Sequence, residues 1–152
     1  MADEPMPRTH AEGAAGVAGY VLEEQVGFLL RRAHQRASAI FQERIPTLTP
    51  TQWAALVKIR EAGGVSQNRL GRLTAMDAAT MQGVVTRLVD RGLVERKPDP
   101  ADRRRVVLRL SERGRATVDE VIEAARAVSA EILLPLSPRE REAVVRLLRR
   151  LG

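Results

Sequence analysis

Cysteine is absent from this sequence of 152 residues, and aromatic residues are scarce, with one Trp, one Tyr and two Phe. Without cysteine the chain can form no disulfide, thiolate zinc site or thiol-based redox switch. Its two histidines make a poor metal site, so we expect neither a metal nor a cofactor. No run of about eighteen apolar residues occurs. Residues 1–19 also lack the apolar core of a signal peptide, which predicts a soluble, cytoplasmic protein without membrane contact.

Motifs for catalysis are missing too. The sequence has no nucleophile–base–acid set, no glycine-rich phosphate loop and no metal-binding motif, and we therefore expect no enzymatic activity. Proteins that bind RNA or single strands stack bases on aromatic side chains, yet no aromatic residue follows Trp53. Binding to single strands or RNA is thus disfavoured.

Positive charge, by contrast, is concentrated in one stretch. The formal net charge is +6 and the pI is about 11.0. Between Arg87 and Arg115, ten basic and five acidic residues give a local charge of +5. Such a run is usually a solvated face. Here it coincides with the architecture described below, and this combination predicts an acidic partner such as DNA.

After the tail, the chain has the pattern of one mostly α-helical domain. Residues 1–19 are rich in Ala, Gly and Pro, which predicts a disordered tail. Residues 20–152 form the domain, in which residues 20–45 and 111–152 carry long helical apolar repeats. A chain of this size cannot easily cover three such helices alone. We therefore expect these two segments to be dimerisation helices of a homodimer.

Residues 49–110 carry the signals of a winged helix-turn-helix. A capping box over residues 49–52 opens one helix, and Ser66 and Asp77 are predicted N-caps of two further helices joined by a tight turn. In the helix that the capping box opens, the buried stripe is predicted at Trp53, Leu56, Val57 and the stem of Arg60. The buried stripe of the last helix is predicted at Met81, Val84, Val85, Leu88 and Val89.

A β-hairpin with a basic tip, the wing, is predicted next. Residues 93–97 and 105–110 have the β-branched content of strands. Arg103 and Arg104 project from the turn-rich connector, a geometry that lets an arginine enter a minor groove. We expect Asp102 to hold a neighbouring guanidinium through a bidentate pair, with an ordinary surface salt bridge as the alternative.

The last helix of the predicted helix-turn-helix has an exposed face that suits a major groove. This face consists of small or polar residues at helical spacing, with two residues at its edges that can reach phosphates: Ala79, Thr80, Gln82, Gly83, Thr86 and Arg87. Gln82 can contact adenine bidentately, and the methyl group of Ala79 or Thr86 can touch a thymine methyl. Gly83 allows close backbone approach, while Thr80 and Arg87 can reach phosphates. The alternatives are a small-residue packing surface and a structural module that keeps the fold without binding DNA.

Three segments resemble the MarR family of bacterial regulators: Leu48–Trp53, Val65–Leu93 and Asp99–Gly114. The last is the most specific, because Asp-x-Arg, a strand and then Ser/Thr-x-x-Gly is a hallmark of that family. The resemblance runs from about Val21 to the C-terminus. It implies a homodimer that binds duplex DNA, with Asp102 orienting Arg104 for the minor groove. It also implies repression relieved by a small ligand, with an activator or a ligand-independent DNA-binding protein as alternatives.

The resemblance further implies a small aromatic acid or phenol as effector, bound between the DNA-binding lobe and the dimerisation helices. All four aromatic residues lie in the first two predicted helices. Phe28, His34 and Trp53 are accordingly the candidate ligand-binding residues. The alternative places Phe28 and Trp53 in the core and His34 at an interface or on the surface. The peroxide-sensing branch of the family uses a cysteine near the N-terminus, and this chain has none, so thiol sensing is excluded.

Overall fold

The computed structural model describes residues 19–152, which contain six α-helices and one two-stranded sheet. A 3-10 turn at Leu22–Glu24 precedes the following elements: α1 Val26–Arg44, α2 Pro50–Ala62, α3 Gln67–Leu73, α4 Ala78–Asp90, β1 Val94–Pro98, β2 Val106–Leu110, α5 Glu112–Ile132 and α6 Pro138–Leu151. This confirms the mostly α fold with one hairpin. The predicted tail falls almost entirely on residues 1–18, outside the described residues. No helix between residues 19 and 152 is long and apolar enough to span a membrane.

The first helix starts later than its apolar repeat predicted. The chain divides after His34 into two compact units, and the first unit holds the 3-10 turn and the start of α1. The turn is separated from α1 by Gln25, whose backbone is extended. A continuous helix from residue 20 is therefore wrong. The helix ends at Arg44, close to the end of the predicted segment 20–45, since Pro46 disfavours helical geometry in the residue before it.

The second unit, residues 35–152, is organised around α2. Its capping box is confirmed: the Gln52 N–H donates to Thr49 Oγ1 at 3.2 Å, and the Thr49 N–H donates to Gln52 Oε1 at 3.1 Å. The buried residues of α2 are Gln52, Ala55, Leu56 and Ile59. The predicted burial of Leu56 is thus confirmed. Trp53 and Val57 are only half-buried and Arg60 is exposed, because the inward face follows the spacing set by Gln52 rather than by Trp53.

The hairpin is antiparallel, with Val94 opposite Leu110 and Pro98 opposite Val106. Both strands begin one residue later than predicted, and residues 99–105 form the wing loop. Val65, just before α3, adds a further bridge to the sheet. Its N–H donates to the Leu108 carbonyl at 3.1 Å, and the Leu108 N–H donates back at 2.8 Å. The base of the wing is therefore fixed to the start of the helix-turn-helix.

The hairpin joins α5 through a close backbone contact at Gly114. The Leu93 carbonyl accepts the Ser111 N–H at 3.1 Å, and Ser111 Oγ caps α5 by accepting the Gly114 N–H at 2.9 Å. A Cβ on Gly114 would lie 2.0 Å from that same Leu93 oxygen. Only glycine fits here, which gives a physical reason for the Ser-x-x-Gly pattern.

The last helix, α6, leaves its leucine side chains exposed. The Glu140 carboxylate accepts the Ser137 hydroxyl at 2.6 Å and the Ser137 N–H at 2.8 Å, and these bonds lower the pKa of Glu140. No residue of α6 is buried. Leu147 and Leu148 are each 48% exposed, and Leu151 is 71% exposed. Within residues 19–152, these leucines are therefore not covered by other parts of the chain.

Candidate nucleic-acid interface

A tight turn holds α4 against α3. The Met76 N–H donates to the Gly71 carbonyl at 2.9 Å, and the Thr74 hydroxyl donates to the Leu70 carbonyl at 2.7 Å. A Cβ on Gly71 would lie 3.1 Å from the Met76 oxygen, so a small residue is needed for this close approach. Ala75 adopts a left-handed backbone with φ of 52°, which is typical of a turn that reverses direction in few residues.

Asp77 caps α4, as predicted. Its carboxylate accepts the Thr80 N–H and the Thr80 hydroxyl, each at 2.8 Å. Both bonds lower the pKa of Asp77, and the bond from the Thr80 N–H has the larger effect. The cap is therefore fully formed at neutral pH and is lost only when acid protonates the carboxylate. The Thr80 hydroxyl, predicted to reach a phosphate, is engaged with Asp77 in this structure.

The two faces of α4 have opposite character. The inner face buries Met81, Val84, Val85 and Leu88, whereas Val89, predicted to join them, is only half-buried. On the other face, Ala79, Gln82, Thr86 and Arg87 are exposed and Gly83 is half-buried. The face of α4 that was predicted to be exposed is thus open to solvent, as a helix that binds in a DNA groove requires.

Two hydrogen bonds fix the side chain of Gln82. Gln67 Nε2 donates to Gln82 Oε1 at 2.6 Å, and Gln82 Nε2 donates to Thr86 Oγ1 at 3.3 Å. Sequence reasoning missed Gln67. A signal was available, because Gln67 directly follows the predicted N-cap Ser66 and so begins the helix that packs beside α4.

The wing tip has a different internal pairing from the one expected. Asp102 Oδ1 accepts the backbone N–H of Arg104 at 3.1 Å, and Oδ2 lies 3.5 Å from Nε of Arg105. The expected bidentate pair with a neighbouring guanidinium is therefore not formed: Asp102 makes a single surface contact with the Arg105 guanidinium and reaches Arg104 only through its backbone N–H. The reason is local, because an aspartate two residues before an amide readily folds back onto it as an Asx turn. Arg103 and Arg104 are exposed and have no ion pair within residues 19–152.

The candidate ligand residues lie in different surroundings. In the first unit, Phe28 is half-buried, and the guanidinium carbons of Arg31 and Arg32 lie 5.5 and 5.9 Å from its ring centroid. His34 is exposed. In the second unit, Trp53 is half-buried and packs against the core. The aromatic ring of Phe28 thus lies close to two guanidinium groups.

A cavity of about 620 Å³ lies between the end of α2, the base of the wing and the start of α5. Its lining includes four basic side chains, Arg60, Lys97, Arg109 and Arg115. None of Phe28, His34 and Trp53 contributes to this lining. Within residues 19–152 no group of three or more His, Cys, Asp or Glu side chains could hold a metal ion.

Known proteins resemble this chain over most of its length. Residues 47–105 match the MarR family. The HTH-type transcriptional repressor NicR of Pseudomonas putida is 45% identical over 134 residues, covering 87% of this chain and 85% of NicR. A solved structure of a probable transcriptional regulator from Pseudomonas aeruginosa is 52% identical with a TM-score of 0.83, covering 87% of this chain and 100% of the other. The structure of BpsR from Bordetella bronchiseptica, whose DNA binding is regulated by 6-hydroxynicotinic acid, is 44% identical with a TM-score of 0.82, covering 87% and 96%.

The fold, the exposed α4 face and these likenesses define a winged-helix transcription regulator that binds DNA. The chain belongs to the MarR family, as the resemblance of its wing segment indicated.

Proposed function

We propose that the protein is a transcriptional repressor that binds a palindromic operator as a homodimer and releases it when a small aromatic acid binds. In each protomer α4 enters a major groove and the wing tip reaches the adjacent minor groove. The observation that carries the proposal is the α4 face around Gln82, which is polar, small-sided and exposed opposite a buried apolar face. The repressor NicR and the ligand-regulated BpsR, both similar along most of the chain, support the same reading.

The exposed apolar side chains of α6 support the homodimer. Leu147, Leu148 and Leu151 lie on a helix that buries none of its residues. In the first unit, considered by itself, Tyr20 and Val26 are 56% and 64% exposed. Apolar surface of this kind marks interaction sites on proteins that remain folded in water. A second copy of the chain, related by two-fold symmetry, would cover it.

The test of this function is a footprint on an operator selected from a random duplex library. We expect two protected half-sites with centres about 34–36 Å apart, since two recognition helices must enter successive major grooves. Sedimentation should give the mass of a dimer, and Leu148→Glu should weaken both dimer and footprint by placing a charge among the exposed leucines. Protection of a single half-site, or a wild-type monomer at the concentrations that bind, would contradict the proposal.

A separate prediction concerns the contribution of the wing arginines to operator binding. Arg104→Ala should weaken operator binding roughly tenfold or more, because a charge-assisted hydrogen bond is worth about 1.5–3 kcal/mol. Arg105→Ala is the matched control, since it removes the same charge from a side chain that already contacts Asp102. Fluorescence anisotropy with labelled operator measures both. Equal losses in the two variants would count against the minor-groove role of Arg104.

The surroundings of Phe28 support an aromatic acid as effector. An aromatic ring can stack on Phe28, and a carboxylate can pair with the guanidinium of Arg31 or Arg32. Neither guanidinium pairs with a carboxylate among the described residues. We retain Phe28, His34 and Trp53 as the proposed ligand residues, each of which must be tested individually.

The probe for this effector is 6-hydroxynicotinic acid. We expect it to release the operator and to change the fluorescence of Trp53, the only tryptophan in the chain. Phe28→Ala should raise the dissociation constant about two- to tenfold, in line with the energy of an aromatic pair, about 0.5–1.5 kcal/mol. His34→Ala should have a smaller effect, and Tyr20→Phe serves as an aromatic control. If Phe28→Ala binds the acid as wild type does, the site lies elsewhere.

A further inference from the structure

Gln82, the residue placed to contact a base, is held from both sides. Gln67 donates to its amide oxygen at 2.6 Å, and its amide nitrogen donates to Thr86 at 3.3 Å. Gln67 is the first residue of α3, so the first of these bonds joins the two helices of the helix-turn-helix. A donor on one side and an acceptor on the other determine which way the amide of Gln82 faces.

The two bonds leave the groups that adenine needs. A glutamine amide has two acceptor positions on its oxygen and two N–H donors. Gln67 uses one acceptor position, and Thr86 uses one donor. One acceptor position and one N–H remain, and a bidentate contact to adenine uses this combination at N6 and N7. Holding the side chain beforehand also lowers the conformational entropy lost when it contacts the base.

We propose that Gln67 is a positioning residue for base readout, which orients the amide of Gln82 so that the helix selects adenine. The inference rests on the proposed function, in which α4 enters the major groove. It assigns the determinant of specificity to a residue on α3 that need not touch the base. The chemical type of residue 67 then matters, since a donor holds the amide of Gln82 as observed and an acceptor reverses it.

The experiment compares Gln67→Met with wild type on operators that carry each of the four bases at the position read by Gln82. That position is the one at which Gln82→Ala abolishes the wild-type preference. Methionine keeps the length of the side chain and removes its hydrogen bond. We expect the preference for adenine, measured as a ratio of dissociation constants, to fall about two- to tenfold, the effect of losing one hydrogen bond. Affinity for non-specific duplex should stay unchanged.

Two further variants separate positioning from a structural role. Gln67→Lys still donates to Gln82 and should keep the adenine preference. Gln67→Glu can only accept, so it should turn the amide and lose or change the preference. The added charges shift affinity for all four operators together and therefore leave the ratio interpretable. If Gln67→Lys and Gln67→Glu show the same adenine preference, Gln67 does not position the amide of Gln82.

The background of Gln82→Ala provides the control. There Gln67→Met should have no effect on the ratio, because the side chain that it positions is gone. An effect that persists in this background would overturn the inference and show that Gln67 contacts DNA directly. The outcomes also separate the two proposals. If wild type selects no operator, the proposed function fails; if it selects one and Gln67→Met keeps the full adenine preference, only the role of Gln67 fails.

Discussion

Gly114→Ala is expected to lower the free energy of unfolding by about 3 kcal/mol or more, enough to place it among severe single substitutions. The added Cβ would lie 2.0 Å from the Leu93 carbonyl oxygen. That oxygen belongs to the backbone and is bonded to the Ser111 N–H, so it cannot move without separating the hairpin from α5. Urea unfolding followed by circular dichroism measures the loss, and the protein concentration is held fixed because a homodimer is proposed.

Gly27→Ala is the matched control for this substitution. Gly27 lies in α1, and a Cβ there meets nothing within 4 Å. Alanine favours helix over glycine by no more than about 1 kcal/mol, so the control should be neutral or slightly stabilising. If the urea midpoint of Gly114→Ala equalled that of Gly27→Ala, the close contact between the hairpin and α5 would be disproved.

Operator binding is expected to weaken steeply as the salt concentration rises. Raising monovalent salt from about 50 to 200 mM should weaken operator binding on the order of a thousandfold, if the dimer neutralises about six phosphates. The stretch between Arg87 and Arg115 carries a charge of +5 in each protomer, and it includes the exposed Arg103 and Arg104. Each phosphate neutralised by an arginine releases bound counterions, and salt opposes that release.

Anisotropy titrations at four or five salt concentrations give the slope of the logarithm of affinity against the logarithm of salt concentration. Arg104→Ala should make this slope shallower by about two, one contact per protomer. Gln82→Ala should leave it unchanged, since Gln82 is uncharged and is proposed to contact a base. A flat slope for wild type would refute binding through the basic wing.

Local signals predicted the helix starts well. Thr49, Ser66 and Asp77 all cap the helices assigned to them, because a cap depends on residues within one turn of each other. The core face of α4 followed from its spacing for the same reason. The break at Gln25 was not predicted, since the apolar repeat continues through it and no proline or glycine marks the interruption.

The site was harder to predict where contacts join distant residues. The stripe on α4 could be found because its members share one helix face. The bond from Gln67 to Gln82 depends on how α3 packs against α4, which spacing along one helix does not reveal. At the wing, charge alone suggested that Asp102 would hold an arginine side chain. One carboxylate oxygen accepts the backbone N–H of Arg104, which lies close by in the loop, and the other makes only a single contact with the Arg105 guanidinium.

The paired hydrogen bonds between Val65 and Leu108 have a mechanical consequence. They attach the wing to the chain just before α3. We therefore expect the wing, α3 and α4 to move together as one rigid unit. We therefore expect the angle between α4 and the wing to change little within one copy of the chain. In the proposed homodimer, an effector that weakens DNA binding would therefore change the distance between the two copies of α4, and with it the spacing of the half-sites that the dimer can bind.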